Sequence, residues 1–201
     1  MRTTEGITMG RKATITKEAI LEAAYQILER EGYGAVNIKT VAQEVGCSTQ
    51  PISWHFGSMP ELRKALYAYT AEKMWSGAVE RAMTMSSVNA FFETGKNFIT
   101  IAADHRNVFR FLYVEDPGDM FGNDFSILDS LGDGRITEMI AAEYQKPIEL
   151  IRPVVSDVVI YTYGVSMFMT WSHAPLQKEE AYRMIYNEGK QKFHIIGIEV
   201  E

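Results

Sequence analysis

The sequence of residues 38–56 predicts two short helices separated by a glycine, and this feature constrains the fold most strongly. The first follows a predicted cap at Asn37 and ends at Gly46, which is placed for a left-handed turn. In the second, residues 48–56, Ser48 is the predicted cap. Pro51 falls in its first turn, where the missing N–H of a proline has no intrahelical partner. Apolar residues occupy one face of the first helix: Ile38, Val41, Ala42 and Val45.

A longer helix is predicted on each side of this pair. Thr16 can cap the preceding helix, and Gly32 ends it. On the other side, Ser58 and Glu61 form an S-x-x-E capping box that opens a helix running to about Met83. One packing helix followed by two short helices with a glycine-containing turn indicates a helix-turn-helix. The apolar face of the packing helix consists of Ile20, Ala23, Ala24, Ile27 and Leu28.

The second short helix is predicted to bury only a narrow edge, formed by Ile52 and Phe56. An exposed tryptophan on so short a helix lowers solubility unless it has a partner. The surface opposite the buried edge is therefore predicted to bind a partner molecule. Two structural alternatives remain, namely that Trp54 covers the end of the long helix and that His55 packs at the helix end. The outward-facing residues are Thr49, Gln50, Ser53 and Trp54.

Composition places the chain among globular proteins. A hydrophobic content of 46% in 201 residues is enough for one or two domains with a core. The single cysteine excludes an internal disulfide, and the N-terminus has no apolar stretch of the secretory kind. The longest uncharged apolar run, residues 158–171, is too short to span a bilayer. A location in a reducing cytoplasm is therefore expected.

Charge is distributed unevenly along the chain. Residues 1–66 carry eight basic and seven acidic side chains, whereas residues 67–201 carry 12 and 19, so the net charge of −6 comes from the second part. This division suggests two roles in one chain. The sequence lacks H-E-x-x-H, the P-loop, G-x-G-x-x-G, C-x-x-C and G-x-S-x-G, so an enzyme is not expected.

Beyond residue 86 the chain is predicted to form a helical bundle interrupted by prolines. Its helices are predicted near residues 91–102, 108–114, 124–144, 154–171 and 178–196. The segment 154–171 is apolar almost all round and is expected to be covered on more than one side. Residues 129–140 match a calcium loop in part, but Leu131 and Ile140 stand where oxygen ligands are required, so no metal is expected there.

Residues 16–66 resemble the DNA-binding domain of the TetR family of one-component transcriptional regulators. The resemblance is carried, in order, by AILEAAYQILEREGYGAVNIKTVAQEVG, CSTQPISWHF and SMPELRKAL. It implies an all-α protein with a flexible arm at 1–14 and a helix-turn-helix domain at 15–66 that runs into the long fourth helix. Residues 67–201 would then form a larger bundle for effector binding and dimerisation.

By this resemblance, residues 48–56 form the recognition helix that enters the major groove of DNA. Thr49 and Gln50 would reach bases, and Trp54 and His55 would suit phosphate, sugar or thymine-methyl contacts. The chain departs from the family at Ser53, where relatives usually have a tyrosine, and at Met59, where many have a lysine. The predicted DNA-binding set is Lys39, Thr40, Ser48, Thr49, Gln50, Ser53, Trp54, His55 and Lys64, with Arg11 and Lys12 of the arm neutralising phosphates.

The resemblance further implies a homodimer that binds an inverted repeat of double-stranded DNA and a small-molecule effector. The last two helices would pair with their copies, which sets two recognition helices about 34 Å apart. The expected function is a repressor released by its effector, with no cofactor; the alternative is an architectural or effector-independent DNA-binding protein. Effector candidates, each with ordinary core packing as its alternative, are Phe98, His105, Phe109, Tyr113, Tyr161, Met167 and Trp171.

Overall fold

Helices account for nearly all of residues 15–115 and 134–200, the part of the chain that the computed structural model describes. Within those residues there is no β-strand, and the predicted all-α class is confirmed. The arm with Arg11 and Lys12, and the first part of the helix predicted at 124–144, lie outside them. The helices are α1 (Lys17–Glu31), α2 (Ile38–Val45), α3 (Gln50–Phe56), α4 (Met59–Ala82), α5 (Ser87–Asp104), α6 (Arg106–Tyr113), α7 (Gly134–Glu143), α8 (Ile148–Met169) and α9 (Lys178–Ile195).

Side-chain caps begin three of the first four helices, as the sequence predicts. The Thr16 hydroxyl accepts a hydrogen bond from the Ala19 N–H at 3.1 Å, and the Ser58 hydroxyl accepts one from the Glu61 N–H at 3.4 Å. Asn37 accepts from two N–H groups in the first turn of α2. At the other end of α2, Gly46 is left-handed with φ 74° and ψ 35°, a backbone conformation that glycine adopts without steric cost.

The start of α3 differs from the prediction. The helix begins at Gln50 and is seven residues long, and the residue before it is Thr49, whose φ of −71° and ψ of −15° are already helical. No side-chain hydrogen bond caps α3 at Thr49, and Ser48 lies two residues before the first residue of the helix. Pro51 is still in the first turn, as predicted, where it removes no intrahelical hydrogen bond.

The predicted start of α8 was also wrong. The helix begins at Ile148, six residues before the predicted start at Val154, and it contains Pro153. A proline in the helix interior removes the hydrogen bond to the carbonyl of Glu149. Both residues are exposed, so water can bond to that carbonyl in place of the missing N–H.

Two hydrophobic clusters hold the helices together. The first joins α1–α3 to the start of α4, the end of α5 and α6, so the helix-turn-helix shares its core with later helices; Leu28, Ile52, Leu66 and Phe109 belong to it. The second is centred on α5, α8 and α9 and includes Phe92 and Phe193. No helix within the described residues is long and apolar enough to cross a membrane.

Ion pairs and hydrogen bonds join α1 to the helices around it. The Glu22 carboxylate accepts hydrogen bonds from the Lys73 ammonium of α4, at 2.9 Å, and from the Tyr69 hydroxyl. These donors hold the pKa of Glu22 at about 2, below its ordinary value of 4.5, with Lys73 the larger cause. At the C-terminal end of α1, the Asn107 side-chain amide donates to the Glu29 carbonyl at 3.0 Å, which fixes α6 against α1.

Candidate nucleic-acid interface and ligand cavity

Helix α3 presents a polar and aromatic surface because its apolar edge is used for packing. Ile52 and Phe56 are buried in the first cluster, whereas the Trp54 side chain is 78% exposed. Trp54 therefore does not cover the end of the long helix, which was one of the two structural alternatives. Its indole contacts the imidazole of the next residue edge-on, with ring centroids 4.6 Å apart.

Seven of the nine predicted DNA-binding residues are exposed, and two are half-buried. Thr40 is half-buried because its hydroxyl donates to the Ala35 carbonyl at 2.7 Å and accepts from the Asn37 N–H at 3.0 Å. This geometry belongs to the capping box of α2. The exposed residues are Lys39, Ser48, Thr49, Gln50, Ser53, Trp54 and Lys64.

His55 connects α3 to the beginning of α1. Its Nε2 lies 2.9 Å from the Ile15 carbonyl oxygen, and because a carbonyl only accepts, Nε2 carries the hydrogen in this contact. The imidazole is therefore held at the point where the N-terminal residues enter α1. That packing role is the alternative that the sequence left open beside a phosphate contact.

Residues 20–66, which include the whole of this interface, match the sequence model of bacterial regulatory proteins of the tetR family. The N-terminal part of the chain is therefore a TetR-family domain. A crystal structure of a TetR-like transcriptional regulator from Rhodococcus sp. RHA1 has a similar fold, with a TM-score of 0.64 and 15% identity, over 90% of this chain and 96% of that one. At that identity the likeness establishes the fold alone. None of the curated proteins matches this chain.

The TetR-family domain supports a role as a DNA-binding regulator, and the family is generally non-enzymatic. No group of three or more His, Cys, Asp or Glu side chains among the described residues is arranged to hold a metal ion. Cys47 is half-buried in the turn after α2, and its thiol lies 3.2 Å from the Ser48 carbonyl oxygen.

A small apolar cavity lies in the C-terminal part of the chain, between α4, α5, α8 and α9. Its volume is about 30 Å³, so in this form it can hold a few water molecules at most. Phe98 is the one predicted effector residue among those that line it. The lining residues are Trp75, Phe91, Phe92, Thr94, Gly95, Phe98, Val158, Val159, Thr162 and Ile185.

Three predicted effector residues form an aromatic cluster beside the cavity. Phe98 packs against Phe109 and Tyr113 with ring centroids 4.9 and 4.7 Å away. The Tyr113 hydroxyl accepts a hydrogen bond from the Trp75 indole N–H at 2.6 Å, and burial raises the pKa of that hydroxyl, so it stays neutral. The Tyr163 hydroxyl donates to the Tyr113 carbonyl at 2.6 Å. The end of α6 is thereby connected to α4 and α8 next to the cavity.

The other four predicted effector residues do not line the cavity. His105 lies between α5 and α6, where its Nδ1 is 2.7 Å from a carboxylate oxygen of Glu29 in α1. Trp171 follows α8, is exposed and contacts Phe168 edge-on. Tyr161 and Met167 are half-buried and pack against the first cluster.

Sequence reasoning missed most of the cavity lining, although one signal was available. Gly95 interrupts the apolar helix α5, and a glycine inside a helix often has a packing or functional reason. A Cβ atom at Gly95 would lie 3.2 Å from Cδ1 of Ile185. The missing side chain thus lets Ile185 of α9 approach the backbone of α5 closely.

Proposed function

We propose that this TetR-family chain is a homodimeric, ligand-responsive repressor that is released from an inverted-repeat operator when a small molecule binds its C-terminal part. It would act in the cytoplasm, on DNA. The chain would be divided as the sequence predicts, into an arm at 1–14, a DNA-binding domain at 15–66 and a domain for effector binding and dimerisation at 67–201. The observation that carries the proposal is the exposed Trp54 on a helix whose only apolar edge is already packed.

Recognition of DNA is assigned to the residues around the start and the exposed side of α3. Gln50 can pair with adenine through its amide, and Thr49 can offer a hydroxyl or methyl group to a neighbouring base. Trp54 and Ser53 would contact the sugar-phosphate backbone or a thymine methyl, and the exposed ammonium groups of Lys39 and Lys64 would neutralise phosphates. Ser48 would contact the backbone, whereas Thr40 and His55 would support the interface from behind, given their hydrogen bonds to carbonyls.

Dimerisation is assigned to α8 and α9. In a single chain α8 exposes an apolar stripe that includes Leu150, Ile160 and Phe168, with Ile160 59% exposed. Ile195 near the end of α9 is 78% exposed. A second copy that covers this stripe would remove the apolar surface from water and bring four helices together. This would satisfy the prediction that the apolar segment of α8 is covered on more than one side.

The effector signal is assigned to α6. One end of this helix adjoins the cavity through Tyr113, and its other end is bonded to α1 through Asn107. An effector that moves Phe98 would therefore press on a helix attached to the DNA-binding domain. For release to occur, the effector must bind one arrangement better than the other, typically by about 1–3 kcal/mol.

Two recognition-helix variants test the DNA-binding assignment. Gln50→Ala and Trp54→Ala should each weaken binding to a duplex selected by the protein from a random-sequence pool; for Gln50 the loss should be about 1–3 kcal/mol. Gln26→Ala is the matched control, because it removes an exposed glutamine from α1 of the same domain. Affinities are measured by fluorescence anisotropy at fixed salt, with circular dichroism to verify folding. Wild-type affinity in both α3 variants would overturn the assignment.

A further inference from the structure

A groove runs between α5 and α9 on the outside of the cavity. Its volume is about 540 Å³, within the range of about 300–1,000 Å³ that is usual for small-molecule sites. Two of its lining residues, Phe92 and Ile185, also line the inner cavity. These two side chains are therefore the wall between the groove and the cavity. The complete lining is Met85, Asn89, Phe92, Glu93, Lys96, Tyr182, Arg183, Ile185 and Tyr186.

On the Ile185 side, the wall between the two spaces adjoins a position that has no side chain. The end of the Ile185 side chain faces Gly95, which has no Cβ atom to confine it. The inner cavity is apolar except for the hydroxyls of Thr94 and Thr162, and the latter donates to the Val158 carbonyl at 2.7 Å. Rotation of Ile185 would therefore connect the groove to an apolar space rather than to a polar one.

The charged groups on the rim of the groove leave an excess of positive charge. The Glu93 carboxylate is neutralised by Arg81 at 2.5 Å. Lys96 has its ammonium 5.4 Å from the centre of the Tyr182 ring and no carboxylate partner within the described residues. Arg183 has only a weak contact of 3.9 Å with Glu180, and its side chain is 70% exposed. Two cations are thus available to a ligand.

The groove lies away from the apolar stripe that the proposed dimer would cover. On the α5 side of α9, the Tyr182 hydroxyl bonds to the Thr100 hydroxyl at 2.7 Å. Towards α8, Lys192 bonds to Asp157 at 2.8 Å. The groove residues Tyr182 and Tyr186 belong to the first of these two sides, so a partner subunit seated on α8 and on the Lys192 side of α9 would leave the groove open.

We propose that this groove binds an amphiphile with an anionic head, of the carboxylate class. The head contacts Lys96 and Arg183 on the rim. The apolar chain lies on the aromatic floor and passes between Phe92 and Ile185 into the inner cavity. This inference rests on the proposed function, since it names the chemistry of the effector and the site that the effector enters.

The test compares three probes that share an eight-carbon chain and differ in head group: octanoate, octanol and octyltrimethylammonium. Each is titrated below its micelle concentration, and the melting temperature of the full-length protein and its release of the selected duplex are measured. Octanoate is expected to give the largest stabilisation and the most release. Shortening the chain to butanoate should reduce both effects, because less apolar surface is buried.

Variants separate the head-group site from the apolar site. Lys96→Gln and Arg183→Gln should each weaken octanoate binding roughly two- to fivefold, as for an exposed ion pair, and leave octanol unaffected. Lys190→Gln is the matched control, because Lys190 also lies over a tyrosine ring, at 5.9 Å from the Tyr186 centroid, but does not line the groove. Gly95→Ala should block the passage beside Ile185 and abolish the chain-length dependence without unfolding the protein.

The outcomes distinguish this inference from the proposed function. Equal effects of all three head groups, or a preference for the cationic probe, would overturn the anionic assignment while leaving an effector-responsive regulator. Octanoate binding that Lys96→Gln, Arg183→Gln and Gly95→Ala all leave unchanged would overturn the location. Stabilisation by none of the probes would overturn the amphiphile class, whereas failure of the protein to select any DNA sequence would contradict the proposed function itself.

Discussion

Replacing Gly189 with alanine should destabilise the protein, although alanine is the better helix former. Gly189 lies in α9 with its Cα facing α5, and a Cβ atom there would come within 2.4 and 2.6 Å of two carbons of the Phe92 ring. Contacts below 3.0 Å are not tolerated, so the ring or the helix must move. The ring has little freedom, because Phe91, Tyr186 and Phe193 pack around it with centroids 5.1–6.1 Å away.

The magnitude follows from two opposing effects. Alanine in place of glycine inside a helix is worth up to about 1 kcal/mol of stability. An added methyl group in a packed core costs about 1–3 kcal/mol. The adjacent cavity of about 30 Å³ can take up part of the displacement of Phe92, which favours the lower part of that range. The net expectation is a loss of about 0–2 kcal/mol for Gly189→Ala.

A matched glycine-to-alanine variant tests the steric effect at Gly189 more directly than the net change in stability does. Gly77 is exposed in α4, and a Cβ atom there would meet only the end of the Arg81 side chain at 3.5 Å, an ordinary contact. Gly77→Ala should therefore show the helix-propensity gain alone. The two variants should differ by about 1–3 kcal/mol, or roughly 2–12 °C in melting temperature for a chain of this size. Thermal unfolding is followed by circular dichroism at one protein concentration, so that any association of subunits affects both variants equally.

Stability of Gly189→Ala equal to or above that of Gly77→Ala would refute the reasoning. It would mean that a Cβ atom at position 189 does not come within 2.4 Å of the Phe92 ring, or that the ring can move away without a cost in stability. Either result would also remove the basis for Phe92 as part of the wall between groove and cavity.

Two further predictions concern the DNA-binding domain. Asn37→Ala removes the side chain that accepts two N–H hydrogen bonds at the start of α2, at 3.0 and 3.1 Å, and should cost about 1 kcal/mol of stability in urea denaturation. Because the pKa of Glu22 in the folded protein is about 2, its stabilising effect is complete above about pH 4.5 and is lost as the pH falls towards 2. The stability difference between wild type and Glu22→Gln, at most about 1 kcal/mol for so exposed a contact, should therefore shrink as the pH is lowered from about 5 to about 3.

The parts of the fold that sequence predicts well are those that depend on neighbouring residues. Thr16, Asn37 and Ser58 cap helices as predicted, because capping needs only a side-chain oxygen close to the first N–H groups. The buried edge of α3 also follows from local spacing, since Ile52 and Phe56 are four residues apart. The helix-turn-helix and its exposed surface were therefore predictable without coordinates.

The parts that sequence could not predict depend on helices far apart in the chain. The cavity is lined from four helices, and aromatic residues that line it look no different in sequence from those, such as Phe109, that fill the core. The contact of His55 with the Ile15 carbonyl joins residues 40 positions apart. At Pro153 the local signal predicts the wrong helix start, because tertiary packing of α8 outweighs the local preference of proline to end a helix.

Helix α1 connects the helices around the cavity to α3. At its C-terminal end, Glu29 is bonded to Asn107 and His105 next to α6. At its N-terminal end, the Ile15 carbonyl is bonded to His55 of α3. The 15 residues of α1 span about 22 Å, and the buried face of α1 packs into the first cluster. If a ligand displaced α6, these contacts would connect that displacement through α1 to α3.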